Sequence, residues 1–258
     1  MSRVNLFRFK PTKEFWVVLL SWVLVVAVFY TSFQIITTER VAGQFITFGI
    51  VGIMFLGVFT PIIWNSLVMK RPLSSIGITK NKLIISIVLC LAFSAIQYYL
   101  TLRTTQLPGL KALVPIATMA LAVGLYENIF YRGWIQLRME EYFGIIPGIV
   151  LSAAIYCLYH IGYGMRPDEM LVLFIIGLIY STIFRLTSNI LILYPFLTPA
   201  GALFTQLKEG LEIPFPATYG FLNVIAFSII GIIIINRLAE KQGLKKNTKK
   251  TALGAAYK

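Results

Sequence analysis

The chain has 258 residues, 58% of them hydrophobic and 13% charged, with a formal net charge of +13. A water-soluble domain of this length has too little interior to hide so much apolar surface, so one or two soluble domains are excluded and a helical bundle in lipid is expected. The positive charge does not mark a nucleic-acid binder: it gathers at the ends of apolar runs and in the C-terminal tail, as membrane topology and anionic headgroups require.

A hydrocarbon core about 30 Å thick takes about 20 apolar residues per helix, and each span must be helical because lipid cannot satisfy an open strand edge. Runs with no or few charges follow one another at 15–38, 41–69 (with Pro61 expected to kink or end it), 83–102, 112–126, 142–165, 170–184, 186–207 and 213–236. The fourth continues past Glu127 into further apolar residues, and the fifth carries only His160. The fold class expected is therefore all-α: a polytopic transmembrane bundle of about eight helices forming one membrane-embedded domain over 1–258, with no linker or repeat to divide it. It comprises an N-terminal segment at 1–14, a core at 70–205 and a basic tail at 238–258, solvated and flexible near the headgroups.

Arg3, Arg8, Lys10 and Lys13 precede the first run, but that run is too long for a signal peptide and no small-residue cleavage site closes it, so it is expected to be a retained span. Assigning Lys and Arg to alternate loops puts 18 of the 23 on the N-terminal side and 5 on the other. That bias predicts an even number of spans with both ends in the cytoplasm. Cys90 and Cys157 both lie in apolar runs and form neither a disulfide framework nor a zinc pattern.

Ionisable residues inside spans are costly, and two stand out. Glu127 lies in the fourth run, in Tyr126-Glu127-Asn128-Ile129-Phe130-Tyr131-Arg132-Gly133, and His160, the only histidine, lies in the fifth. A carboxylate and an imidazole can divide the work of moving a proton from water. The bland alternative is a hydrogen-bonded pair that locks two helices together. A catalytic zinc wants three protein ligands, and one histidine with two dispersed cysteines does not supply them, so no metal and no other cofactor is expected. At helical spacing Asn128 and Arg132 share a face, Glu127 and Tyr131 share another, and Tyr156 stands one turn before His160, where its hydroxyl could support the site. Glu127 and His160 can meet only if the fourth helix continues through Gly133 toward Glu141, which places Glu127 in mid-membrane.

The Glu-x-x-x-x-Arg-Gly run, followed one span later by aromatic-x-x-x-His, resembles the CAAX protease and bacteriocin-processing family of intramembrane proteases. The loop at 71–78 and the run at 184–190 resemble two further landmarks in the right order, so the resemblance covers about 70–205. It implies that Glu127 is the general base, that Arg132 is the motif arginine, and that His160 holds the attacking water, with Tyr156 replacing a phenylalanine. Asn128 stands where the family has a second glutamate, which reduces its expected pairing with Arg132 from an ion pair to a hydrogen bond. The third motif is broken: counting from Asn189, its histidine falls at Leu197 and its asparagine at Gly201, leaving Asn189, Tyr194 or Thr198 as substitutes for the donors that steady the oxyanion.

Three functions follow. The first is a metal-independent intramembrane endopeptidase acting on a peptide or membrane-protein substrate. The second is an inactive relative that binds a membrane partner, as an accessory or immunity protein. The third is a proton-coupled transporter, ranked last because no inverted repeat is evident. Membrane lipids are partners in each, nucleic acid in none, and the expected location is a bacterial or archaeal cell membrane.

Overall fold

The computed structural model describes residues 6–36, 41–210 and 212–255. Arg3, Arg40 and Lys258 of the charge count lie outside the described residues. Seven helices are long and apolar enough to cross a bilayer: α1 (Lys13–Ile35), α2 (Ala42–Val68), α3 (Leu83–Leu100), α4 (Leu110–Phe143), α5 (Ile145–Tyr163), α6 (Pro167–Thr187) and, after the shorter α7 (Leu197–Lys208), the Ala217–Gly243 part of α8. Among the described residues there is no strand.

The run at 186–207 does not form one long helix. Its first part is a 3-10 turn, Ile190–Ile192, and only α7 is regular. The segment nevertheless travels the length of α3. Asn189 donates from Nδ2 to the carbonyls of Thr79 and Asn81 at 2.9 Å, just before α3 begins. Gly201 lies against Gln97, near the end of α3 and about 21 Å further along its axis. An eighth pass is thus made of a turn and a half-length helix, which is the bundle of about eight helices that the hydropathy predicts.

The structure adds detail at Pro61 and in the tail. Pro61 does not end α2, which runs on to Val68. The turns preceding it, Ile46–Phe59, are wound with i→i+5 hydrogen bonds, and this wider winding carries the chain into a proline that offers no N–H. The basic tail is helical, because α8 extends to Ala255. Its Glu, Lys, Gln and Leu residues are good helix formers and continue the span beyond the apolar segment.

The chain's two ends enter and leave the bundle on one side. The backbone N–H groups of Arg8 and Lys10 donate to Phe143 and Tyr142 at 2.8 Å, at the end of α4. Helix α8 runs beside α2 in the same direction, with Phe221 against Phe45 and Gly231 against Phe59. The end of α2 leads to Arg71, which pairs with Glu14 near the start of α1. Between helices in lipid there is little hydrophobic drive, so close packing and polar contacts hold the bundle. Helix α4 is its axis: 78% of its most apolar window is buried, against 11% for α3 on the periphery.

Candidate active site

Helix α4 passes through Gly133 without a break, as a meeting of Glu127 and His160 requires. A glycine is needed there because a Cβ would lie 2.3 Å from the Ile76 carbonyl oxygen, in the loop after α2. That loop, 71–78, braces the core in a second way, since the Gly77 carbonyl accepts the N–H of Ile190 at 3.0 Å. Glu127 is 17 residues from Leu110 and 16 from Phe143, which puts it about 25 Å from either end of α4, in mid-bundle. Directly after it, Asn128–Gln136 is wound with i→i+5 hydrogen bonds, a winding that recurs at functional sites.

The Glu127 carboxylate is 5% exposed and accepts a short hydrogen bond from the Tyr159 hydroxyl. The Tyr159 ring in turn lies against the His160 imidazole, centroids 4.0 Å apart. Glu127 and His160 are thereby brought to two sides of one tyrosine, with no hydrogen bond between them among the described residues. Nδ1 of His160 lies 3.1 Å from the Tyr156 carbonyl. A neutral imidazole donates from that nitrogen and leaves Nε2 with a free lone pair. Tyr156 supports the site in another way as well: its ring lies under the Arg132 guanidinium, 4.6 Å from the centroid.

The expected Asn128–Arg132 hydrogen bond is absent. Asn128 donates to the Gly124 carbonyl at 2.7 Å, and Arg132 donates from Nη1 to Ser181 Oγ on α6 at 2.6 Å. The cause is the i→i+5 winding, which takes residues four apart off a common face. Tyr131 accepts from the Tyr126 hydroxyl at 3.0 Å and stacks on Tyr159, with no hydrogen bond to Glu127 among the described residues. Asn128 Oδ1, Arg132 Nη2 and Thr198 Oγ1 are buried and without partners.

Asn189 is not at the site. Besides its bonds to Thr79 and Asn81, its Oδ1 accepts from the Leu191 N–H at 3.0 Å, so its side chain is spent on joining two loops. Leu197 is buried in the core and Gly201 is half-buried one turn further on, on a helix whose Pro199 fits against Gly124 of α4, one turn before Asn128. Tyr159 and Ser181 are the site residues that sequence reasoning missed. Tyr159 adjoins His160 in the sequence, and the only signal of Ser181 is its polarity within an apolar span. Among the described residues no group of three or more His, Cys, Asp or Glu side chains could hold a metal ion.

The four landmarks of the sequence resemblance therefore meet in space: the 71–78 loop under Gly133, the Glu127 turn, His160 beside Tyr159, and Ile190 on Gly77. No curated protein and no solved structure matches the chain. A family model, type II CAAX prenyl endopeptidase Rce1-like, matches residues 108–195, the stretch that holds Glu127, Arg132, Tyr156, His160 and Asn189.

Proposed function

We propose that the protein is an intramembrane glutamate-type endopeptidase of the CAAX type, and that both of its ends face the cytoplasm. The observation that carries this reading is a glutamate held in mid-bundle by the Tyr159 hydroxyl, with the His160 imidazole against that tyrosine's ring and no ion pair to the glutamate among the described residues. A carboxylate in that setting is costly to bury, and chemistry is the usual reason to keep one. Glu127 would take a proton from a water held between its carboxylate and Nε2 of His160, Tyr159 would fix the carboxylate's orientation, and the water oxygen would attack the peptide carbonyl. The substrate class implied is a peptide that reaches the site through lipid, such as a prenylated C-terminal peptide or a membrane-anchored precursor.

The test is cleavage in detergent of a farnesylated CAAX peptide and a panel of tagged membrane peptides, by wild type beside Glu127→Gln and His160→Ala. Cleavage lost in Glu127→Gln and strongly reduced in His160→Ala, at unchanged melting temperature, is the expected result. Cleavage untouched by Glu127→Gln would sink the assignment.

A further inference from the structure

Adding water to a peptide carbonyl puts charge on its oxygen, and in an apolar bundle that oxygen needs a hydrogen-bond donor. Asn189 is committed elsewhere, and Leu197 and Gly201 carry no donor. A Cβ built on Gly201 would stand 3.0 Å from both the Tyr180 hydroxyl and the Gln97 carboxamide nitrogen position. The space beside Gly201 is thus filled by polar groups from two other helices, Gln97 on α3 and Tyr180 on α6. Tyr180 is buried, and its hydroxyl lies 2.9 Å from the Gln97 side chain.

The two ends of a carboxamide have the same shape, and their assignment follows from their partners. One orientation of Gln97 satisfies all of them: its nitrogen donates to the Tyr180 oxygen at 2.9 Å and to the Leu197 carbonyl at 3.3 Å, and its oxygen accepts from the Gly201 N–H at 2.8 Å. In that orientation the tyrosine oxygen accepts a hydrogen bond at 2.9 Å, and its own O–H has only long contacts, to the Gln97 oxygen at 3.3 Å and the Leu197 carbonyl at 3.4 Å, which it can exchange for a stronger acceptor. The next residue on α6, Ser181, holds Arg132. Helix α7, whose Leu197 carbonyl lies 3.4 Å from the Tyr180 hydroxyl, rests through Pro199 on Gly124, three residues before Glu127.

We propose that Tyr180 is a catalytic residue, its hydroxyl donating a hydrogen bond to the carbonyl oxygen of the scissile peptide, and that Gln97 positions it. The assignment rests on Glu127 being the base. In the addition step Glu127 takes one proton from water as the water oxygen bonds to the carbonyl carbon. The C=O π pair moves onto oxygen, where the Tyr180 O–H stabilises it without giving up its proton. In collapse that pair re-forms the C=O bond, the C–N bond breaks, and the proton on Glu127 passes to the leaving nitrogen.

The experiment measures kcat and KM on a cleaved peptide for wild type, Glu127→Gln, Tyr180→Phe, Gln97→Met and the double variant Tyr180→Phe/Gly201→Asn. Tyr180→Phe is expected to lower kcat by about 10²–10³-fold and to leave KM within about threefold. Gln97→Met, which keeps the shape and removes both polar ends, should lower kcat by about tenfold. An asparagine at 201 enters the space vacated by the hydroxyl and should recover at least about tenfold, a rescue that a purely structural role for Tyr180 would not give. Glu127→Gln inactive with Tyr180→Phe and Gln97→Met both near wild-type kcat overturns this assignment and leaves the base standing. Glu127→Gln fully active overturns the base itself. Should Tyr180→Phe fail to fold, Gln97→Met decides: an unchanged kcat overturns the assignment.

Discussion

Two clusters of polar residues lie along α4, one half-buried and one fully buried, and they are built on opposite principles. At its end, near the start of α1, opposite charges find each other: Arg71 pairs with Glu14 at 3.0 Å and with Glu141 at 3.5 Å, Arg138 pairs with Glu141, and Arg185 reaches Glu140 at 3.2 Å. Tyr142 adds a hydrogen bond to Glu14 at 2.9 Å. In mid-bundle, Glu127 and Arg132 share a helix and form no ion pair with each other. Each is held by hydroxyls and rings, and Arg132 Nη2 and Asn128 Oδ1 have no partner. The first cluster is neutralised by charge pairing and ties the N-terminal segment, the 71–78 loop and α4 together. The second is not, and buried polar groups without charge partners are what the proposed chemistry of a water and a peptide carbonyl needs.

Experiments that break one cluster should therefore leave the other property standing. The largest effect expected is on activity: Glu127→Gln should lower peptide cleavage by about 10³-fold, with thermal unfolding in detergent unchanged, since the amide oxygen still accepts from Tyr159. The largest effect on stability should come from Gly133→Ala, because the new methyl group would be driven into the Ile76 carbonyl. A loss of about 2–3 kcal/mol is expected, read as a lower melting temperature. An unchanged melting temperature would mean that the 71–78 loop does not brace α4.

The sharpest comparison sets Arg71→Met against Arg132→Met. Removing Arg71 strands the buried Glu14 and should cost about 1–2 kcal/mol, discounted because Arg71 is a quarter exposed. Removing Arg132 strands no carboxylate paired to it, so the melting temperature should fall less, although Arg132 is the more deeply buried. The activities should reverse that order, with Arg132→Met impaired and Arg71→Met near wild type per folded molecule. Equal losses of both properties in the two variants would erase the distinction between the clusters. The smallest effect belongs to the exposed pair of Arg166 with Asp168. Arg166→Ala should leave melting and cleavage unchanged, because such pairs are screened by water.

The sequence by itself determined the solvent, the fold class and the identities of the costly residues. Charge-free runs at bilayer length admit only helices, and a glutamate and a histidine inside such runs stand out against lipid at any register. It also determined that α4 must continue through Gly133 if those two are to meet. Tertiary structure decided what each polar side chain touches. The i→i+5 winding after Glu127 broke the face that helical spacing assigned to Asn128 and Arg132, since a local departure in winding leaves no mark in an apolar pattern. Tyr159, Ser181, Gln97 and Tyr180 acquired their contacts from helices that approach one another only in the folded bundle. Asn189 lost its expected role for the same reason, because two loop carbonyls distant in sequence claimed its amide first.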